Sequence, residues 1–167
     1  MAAKLHAFVL ILGLLALPCR AEPGAEDGTS SREGPVATGP AADLTLYALS
    51  LNGTAYRFGG SDPDKGLDCS GFVGHVFREV AGIDLPRSAQ AISQLGRKIG
   101  INELKPGDLV FFNTLRRAFS HVGIYLGNQQ FIHATSSRTG EVLISSLRET
   151  YWARRFDGAR RIDLAGQ

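Results

Sequence analysis

The sequence predicts an α+β fold, with helices first and a run of antiparallel strands after them. Two observations carry that prediction. Between Cys69 and Gly82, the apolar residues Phe72, Val73, Val76, Phe77 and Val80 recur at helical spacing and form one stripe. After the turn Lys105-Pro106-Gly107-Asp108 the period changes, and short apolar runs separated by turn residues take over. Two of these runs, His121–Leu126 and Gln130–Ala134, flank Gly127-Asn128-Gln129 as a hairpin. A length of 167 residues leaves room for one domain with one core.

The elements follow in order. Residues 1–21 read as an export signal: Lys4, an apolar run from Ala7 to Leu17, then Pro18-Cys19-Arg20-Ala21 as a small-residue cleavage site. The run is too short for a comfortable membrane span. Soluble export is favoured over lipidation at Cys19, which would anchor the chain to the outer membrane, because Pro18 stands where a lipidation site wants a small residue. Residues 22–42 are dominated by Gly, Pro, Ser, Thr and Ala and read as a flexible linker. The domain then spans 43–167. Its first helix runs from Asp43, as N-cap, to Leu51 and ends at Asn52-Gly53. Thr54 to Gly66 is a loop. Asp68 caps a helix from Cys69 to Ala81 that stops at Gly82. Ser88 opens a third, short helix reaching Leu95. Leu109–Phe112, the hairpin, Val142–Ile144 and Gly158–Ile162 are strands, with a short helix from Ser146 to Arg154.

Charge excludes one class of partner. Losing Lys4 and Arg20 with the leader takes the 18 basic residues to 16, equal to the 16 acidic ones. A neutral domain lacks the basic field that nucleic-acid binding needs. The same cleavage leaves Cys69 as the one cysteine, so no internal disulfide can form, and the thiol is either buried and inert or reactive.

Two readings of Cys69 compete. It shares the apolar face of its helix with Phe72 and Val73, and free cysteine is among the most buried residue types. Against that, it is the first helical residue, where unpaired N–H groups and the positive end of the dipole stabilise a thiolate and lower its pKa. Ser70 and Gly71 suit a helix start presented to a cleft, and Gly71 admits something close to the backbone. A cysteine nucleophile also needs a base, and the base an orienter. His6 leaves with the signal. His75 faces away from the stripe as a solvated residue. His121 and His133 remain, each on a strand. Their separation is an even 12 residues, so register decides whether they share a face. A two-residue Gly127-Asn128 loop would place them on opposite faces, and a three-residue loop on the same one. The catalytic reading therefore predicts an odd-length loop, with Cys69 as nucleophile, His121 as base and His133 holding the His121 ring and its tautomer. Gly123 would leave room for the Cys69 helix against the sheet.

The stretches "YRFGG", "DCSGFV", "LPRS", "PGDLVFF", "SHVGIYLG" and "FIHA", in this order between Leu44 and Ile162, resemble the NlpC family of papain-like cysteine peptidases, which cut bacterial cell-wall peptides. The ending "YWARRFDGARRI" is most similar to the Gram-negative murein endopeptidase branch. The resemblance implies a papain-like fold, with the nucleophile at a helix N-terminus packed on a central antiparallel sheet, and a Cys-His-His set at Cys69, His121 and His133. It implies that Tyr56 lines the site and helps bind substrate or the oxyanion, and that Asp68, Ser70 and Ser88 contact the stem peptide. Three of these also have a local role to offer: Asp68 and Ser88 as helix caps, Tyr56 as a loop anchor. Ile92 departs from the family, whose members often carry glutamine there.

The expectation is an exported, periplasmic, monomeric peptidase acting on peptidoglycan stem peptides, with no cofactor and no metal. The D-alanyl-diaminopimelate cross-link is the favoured bond and the γ-D-glutamyl-diaminopimelate bond the alternative. Arg57, Arg87, Arg116 and Arg117 are candidate partners for stem-peptide carboxylates. Two rival readings are a zinc site on Cys69, His121 and His133 and a non-catalytic wall-binding module.

Overall fold

A computed structural model describes residues 39–136 and 140–164. The expected leader and most of the expected linker lie outside them. Helix α1 spans Pro40–Ser50, three residues ahead of the expected start. Pro40 enters it at the first turn, where a missing N–H costs nothing, and Gly39 rather than Asp43 precedes the helix. Asp43 instead lies in the first turn, where its charge suits the helix dipole.

Two short strands missed in the expected loop, β1 (Ser61–Asp62) and β2 (Gly66–Leu67), pair antiparallel and lead into α2. Helix α2 runs Cys69–Ala81 as the sequence predicts. Asp68 Oδ1 accepts the Gly71 N–H at 2.6 Å, and Gly82 ends the helix with φ 65°. Helix α3 is only Ala89–Ile92, capped by Ser88. It stops short of Leu95 because the chain turns into β3 (Arg97–Ile99), another strand that the sequence reading missed. A 3-10 turn, Ile101–Glu103, precedes β4 (Leu109–Phe112). Then come β5 (His121–Gly127), β6 (Gln130–Ala134), β7 (Val142–Ser146), α4 (Thr150–Ala153) and β8 (Phe156–Arg161). Helix α4 is shorter than expected because Ser145 and Ser146 pair with β6.

The main sheet has six antiparallel strands in the order β3-β8-β4-β5-β6-β7. Period-two alternation sends its side chains into two layers. Leu109, Phe111, Val122, Ile124, Ile132 and Ala134 pack with Leu44 and Ala48 of α1 and with Phe72, Val73, Val76 and Phe77 of α2. Val110, Phe112, Tyr125, Phe131 and Ala159 pack on the other side with Trp152 of α4. Burial on both faces explains why β4 reads as an unbroken apolar run.

The hairpin reaches the expected outcome by a different route. Its turn is the two-residue Asn128-Gln129, both at positive φ (49° and 61°), flanked by a Gly127–Gln130 pair. Kept without a break, that register would put His121 and His133 on opposite faces. The register shifts between Tyr125 and Gly127, so that Tyr125 pairs with Phe131 and Leu126 is the extra residue of a bulge. The bulge restores the parity, and both histidines face the α4 side.

Candidate active site

Cys69, His121, Tyr56, Asp68, Ser70 and Ser88 border one cleft of about 450 Å³. Six segments build it: the Tyr56–Gly59 loop, the start of α2, the start of α3, the 114–120 loop, the first residue of β5 and Ser136 beyond β6.

The backbone N–H groups of Val122, Ser70 and Cys69 favour a thiolate, as a helix start should. Burial acts in the other direction and is larger, and the Asp68 carboxylate adds to it, so the thiol is pushed up to about 11. This overturns the expectation of a lowered value. The main reason is burial of the sulfur, and the carboxylate that closes the first turn of α2 adds to it. The resting group is a neutral thiol, which needs a base.

His121 is buried at the start of β5, and its Nε2 lies 2.8 Å from Nδ1 of the wholly buried His133, with the two rings at 89°. Nε2 of His133 lies 3.0 Å from Ser145 Oγ. Trp152 stacks on His121 (centroids 5.6 Å, 25°) and presents its edge geometry to His133 (4.8 Å, 78°). Burial pushes His121 down to about 4; burial and then the neighbouring His121 lower His133 as well. Both imidazoles are neutral at pH 7, and a neutral His121 is able to take a proton. Gly123 serves this pair rather than the helix. A Cβ there would stand 2.9 Å from the Phe131 ring and 3.1 Å from the His133 Cβ, whereas α2 packs on the opposite face through Val122 and Ile124.

Tyr56 is pushed up by burial first and then by Cys69 and Asp68, and it is hydrogen-bonded to Ser136, so its phenol remains protonated beside the thiol. Ser70 and Asp68 are turned inward. Ser70 Oγ donates to Asp68 Oδ1 at 2.8 Å and to the Arg87 carbonyl at 3.2 Å. Ser88 Oγ accepts the Ala91 N–H at 3.2 Å. The local capping roles of Asp68 and Ser88 are thus both realised, at positions that border the cleft. Arg87 donates to the carbonyls of Gly59 and Gly60 at 3.2 and 3.1 Å, holding the loop against α2. Gly71 is required there, since a Cβ would collide with the Gly60 carbonyl and stand 2.8 Å from the Arg87 guanidinium. Arg117 borders the cleft, while Arg116 lies in a neighbouring hollow with Arg154, Arg155 and Asp157. His75 is half-buried rather than solvated, with Nε2 3.0 Å from the Tyr47 hydroxyl. Among the described residues no three His, Cys, Asp or Glu side chains converge to hold a metal ion, so the zinc alternative finds no donor set.

Residues 53–161 match the NlpC/P60 family. The chain belongs to the NlpC/P60 family. It is 53% identical over 110 residues to a probable endopeptidase NlpC homolog of Haemophilus influenzae, covering 66% of this chain and 56% of that one. It is 49% identical over 113 residues to the murein DD-endopeptidase MepS/murein LD-carboxypeptidase of Escherichia coli, with the same coverage of 66% and 56%. A γ-DL-glutamyl hydrolase of Bacillus subtilis is 48% identical over 132 residues, covering 77% of this chain and 32% of that one. The chain therefore spans little more than half the length of the first two. Among solved structures, the NlpC/p60 domain of the peptidoglycan hydrolase SagA superposes with a TM-score of 0.63 at 34% identity, covering 73% of this chain and 98% of that one.

Within this NlpC/P60 site, the sequence reading missed Trp152, Ser145 and the cleft-lining Phe58, Leu115, Ser120 and Ser136. Trp152 had a signal, being the one tryptophan of the chain. Ser145 had none: a serine in a strand that ends Ile144-Ser145-Ser146 looks like an exposed edge residue.

Proposed function

We propose that this chain is an exported cysteine peptidase that hydrolyses stem-peptide amide bonds of bacterial peptidoglycan. The observation that carries the reading is Cys69 and His121 bordering one cleft, with the buried His133 behind His121 at 2.8 Å. The names of the relatives from Haemophilus influenzae and Escherichia coli support it.

The chemistry is acyl transfer to water. His121 takes the Cys69 proton as the sulfur attacks the carbonyl carbon, and the C=O pair of electrons moves onto oxygen. The backbone N–H of Cys69 and the Tyr56 phenol stabilise that oxyanion. His121 then gives the proton to the leaving amine, the C–N bond breaks, and a thioester remains. Water, losing a proton to His121, attacks the thioester. The acid departs, and the thiol recovers its proton. Asp68, Ser70 and Ser88 support the substrate-facing wall, and Arg117 offers a cation to a stem-peptide carboxylate.

The favoured bond is the D-alanyl-diaminopimelate cross-link, in line with the name of the Escherichia coli relative. The Bacillus subtilis relative, a γ-DL-glutamyl hydrolase of nearly equal identity, supports a second reading, the γ-D-glutamyl-diaminopimelate bond. Digesting diaminopimelate-type peptidoglycan with the purified protein and with Cys69→Ala, and identifying fragments by mass spectrometry, separates them. Cross-linked dimers converted to monomers by the wild type alone establish the first bond, and shortened stems the second. Identical digests from both proteins would overturn the peptidase reading and return the wall-binding one.

A further inference from the structure

We infer that Ser145 is a positioning residue for this site: by accepting a hydrogen bond from His133 Nε2–H, it selects the tautomer that leaves His121 Nδ1 bare for the nucleophile. The inference rests on the reading of Cys69 and His121 as nucleophile and base.

A neutral imidazole has one N–H and one bare nitrogen. His121 Nε2 and His133 Nδ1 are 2.8 Å apart, so one proton lies between them. His133 Nε2 and Ser145 Oγ are 3.0 Å apart, so a second proton lies there. Only two neutral arrangements satisfy both contacts. In the first, His121 Nε2–H donates to His133, His133 Nε2–H donates to Ser145, and His121 Nδ1 is bare. In the second, every direction reverses, the serine hydroxyl donates, and His121 carries its proton on Nδ1, where it cannot accept another. The aromatic contacts cannot choose between them. Trp152 and Phe131 stack on the two rings and fix their planes, but a carbon face does not distinguish N–H from bare nitrogen.

The sulfur makes the choice. Backbone N–H groups of Val122 and Ser70 already favour electron density on the sulfur. A neutral thiol carries its own proton, so a bare Nδ1 gives the S–H an acceptor, whereas an Nδ1–H would offer it none. Ser145 makes that arrangement affordable at the far end of the line. It lies on β7, the edge strand, and is half-buried, so its oxygen accepts the His133 N–H while its own proton turns to solvent. Without the hydroxyl, the buried N–H of His133 is orphaned, which is unfavourable. When His121 becomes an imidazolium, the same line of N–H dipoles ends on Ser145 and supports the charge.

The experiment uses the full chain as wild type, Ser145→Ala and Ser145→Thr, each also with Cys69→Ala. Imidazole nitrogen shifts of 15N-labelled protein report tautomers without any turnover. Expected in the wild type is protonation of both His121 and His133 at Nε2, a mixture of tautomers in Ser145→Ala, and recovery in Ser145→Thr. On peptidoglycan, Ser145→Ala should lose about tenfold in kcat with KM nearly unchanged, a part of the 10²–10⁴ that acid–base catalysis contributes, and Ser145→Thr should regain it. A wild type with His121 protonated at Nδ1, or a Ser145→Ala variant with unchanged tautomers, overturns the inference. An inactive wild type with the expected tautomers would sink the peptidase reading instead and leave the hydrogen-bond assignment standing.

Discussion

Phe58 is 90% exposed, an unusual position for the ring of a phenylalanine, and it stands on the rim of the Cys69 cleft with Leu115, itself 70% exposed. The turn that presents it is fixed. Gly60 N–H donates to the Arg57 carbonyl at 2.9 Å, and Arg87 binds the carbonyls of Gly59 and Gly60. A turn that holds an apolar ring in water is placed to cover a ligand entering the cleft. Phe58→Ala should therefore leave the melting temperature within a degree or two, since the ring touches little in the free protein. It should raise KM for peptidoglycan fragments by roughly three- to tenfold, the loss of about 1 kcal/mol of contact, with kcat little changed. A drop in thermal stability with an unchanged KM would show the ring to be packing rather than binding.

At the scale of elements, the hairpin decides the chemistry. The helix bearing Cys69 was fully legible: its stripe, its Asp68 cap and its Gly82 stop are local signals, and α2 begins and ends where they say. The parity of the two histidines was legible only as a condition. The turn residues Asn128 and Gln129 take positive φ, which asparagine favours but glutamine does not announce, and the bulge at Leu126 has no local code. The two-residue strands β1 and β2 and the strand β3 were invisible for a related reason, because their pairing is imposed by α2 and β8 rather than by their own periodicity. Trp152 and Ser145 reach the site across strands, and no spacing rule connects them to His121. Gly123 tests the hairpin directly. It pairs across from His133, and an added methyl would press on the His133 Cβ and the Phe131 ring. Gly123→Ala should cost roughly 1–3 kcal/mol through overpacking and lower kcat by more than tenfold, because a tilt of His133 disturbs the His121 it holds. Intact activity with lowered stability would mean that the pair tolerates the shift.

Across the whole molecule, one polar latch ties the start of β4 to the end of β8. Asp108, only 2% exposed, receives Arg161 through both carboxylate oxygens at 2.6 Å, and it also accepts the Lys105 N–H at 2.8 Å. Arg161 reaches on to the Glu103 carbonyl at 3.0 Å. The aspartate of "PGDLVFF" is therefore a structural residue that joins β4 to β8 and the 3-10 turn. Arg161→Ala would strand a buried carboxylate, at a cost of about 3 kcal/mol, and should lower the melting temperature by roughly 10 °C. An equal loss from Arg160→Ala would remove the special role of the latch.

The second coupling between site and fold runs through protons. His121 and His133 are held neutral in the folded domain, with His121 pushed down to about 4 from an ordinary 6.5 and His133 lowered too, each chiefly by burial. In the unfolded chain both charge near 6.5. Between that value and the folded one, the unfolded state binds more protons, so stability rises with pH. The contribution of the pair is complete above pH 6.5 and is lost as the pH falls through 6 and 5 towards the folded value. Carboxylates that lose their partners in acid act in the same window, so the comparison must isolate the histidines. Thermal melts of the wild type and of His133→Gln at pH 7.5, 6.5, 5.5 and 4.5 do so. The wild type should lose melting temperature more steeply between 6.5 and 4.5 than the variant does, because glutamine has no proton to gain. Parallel curves would mean that His133 titrates alike in both states, and the picture of a buried, neutral pair feeding a neutral thiol would fail with it.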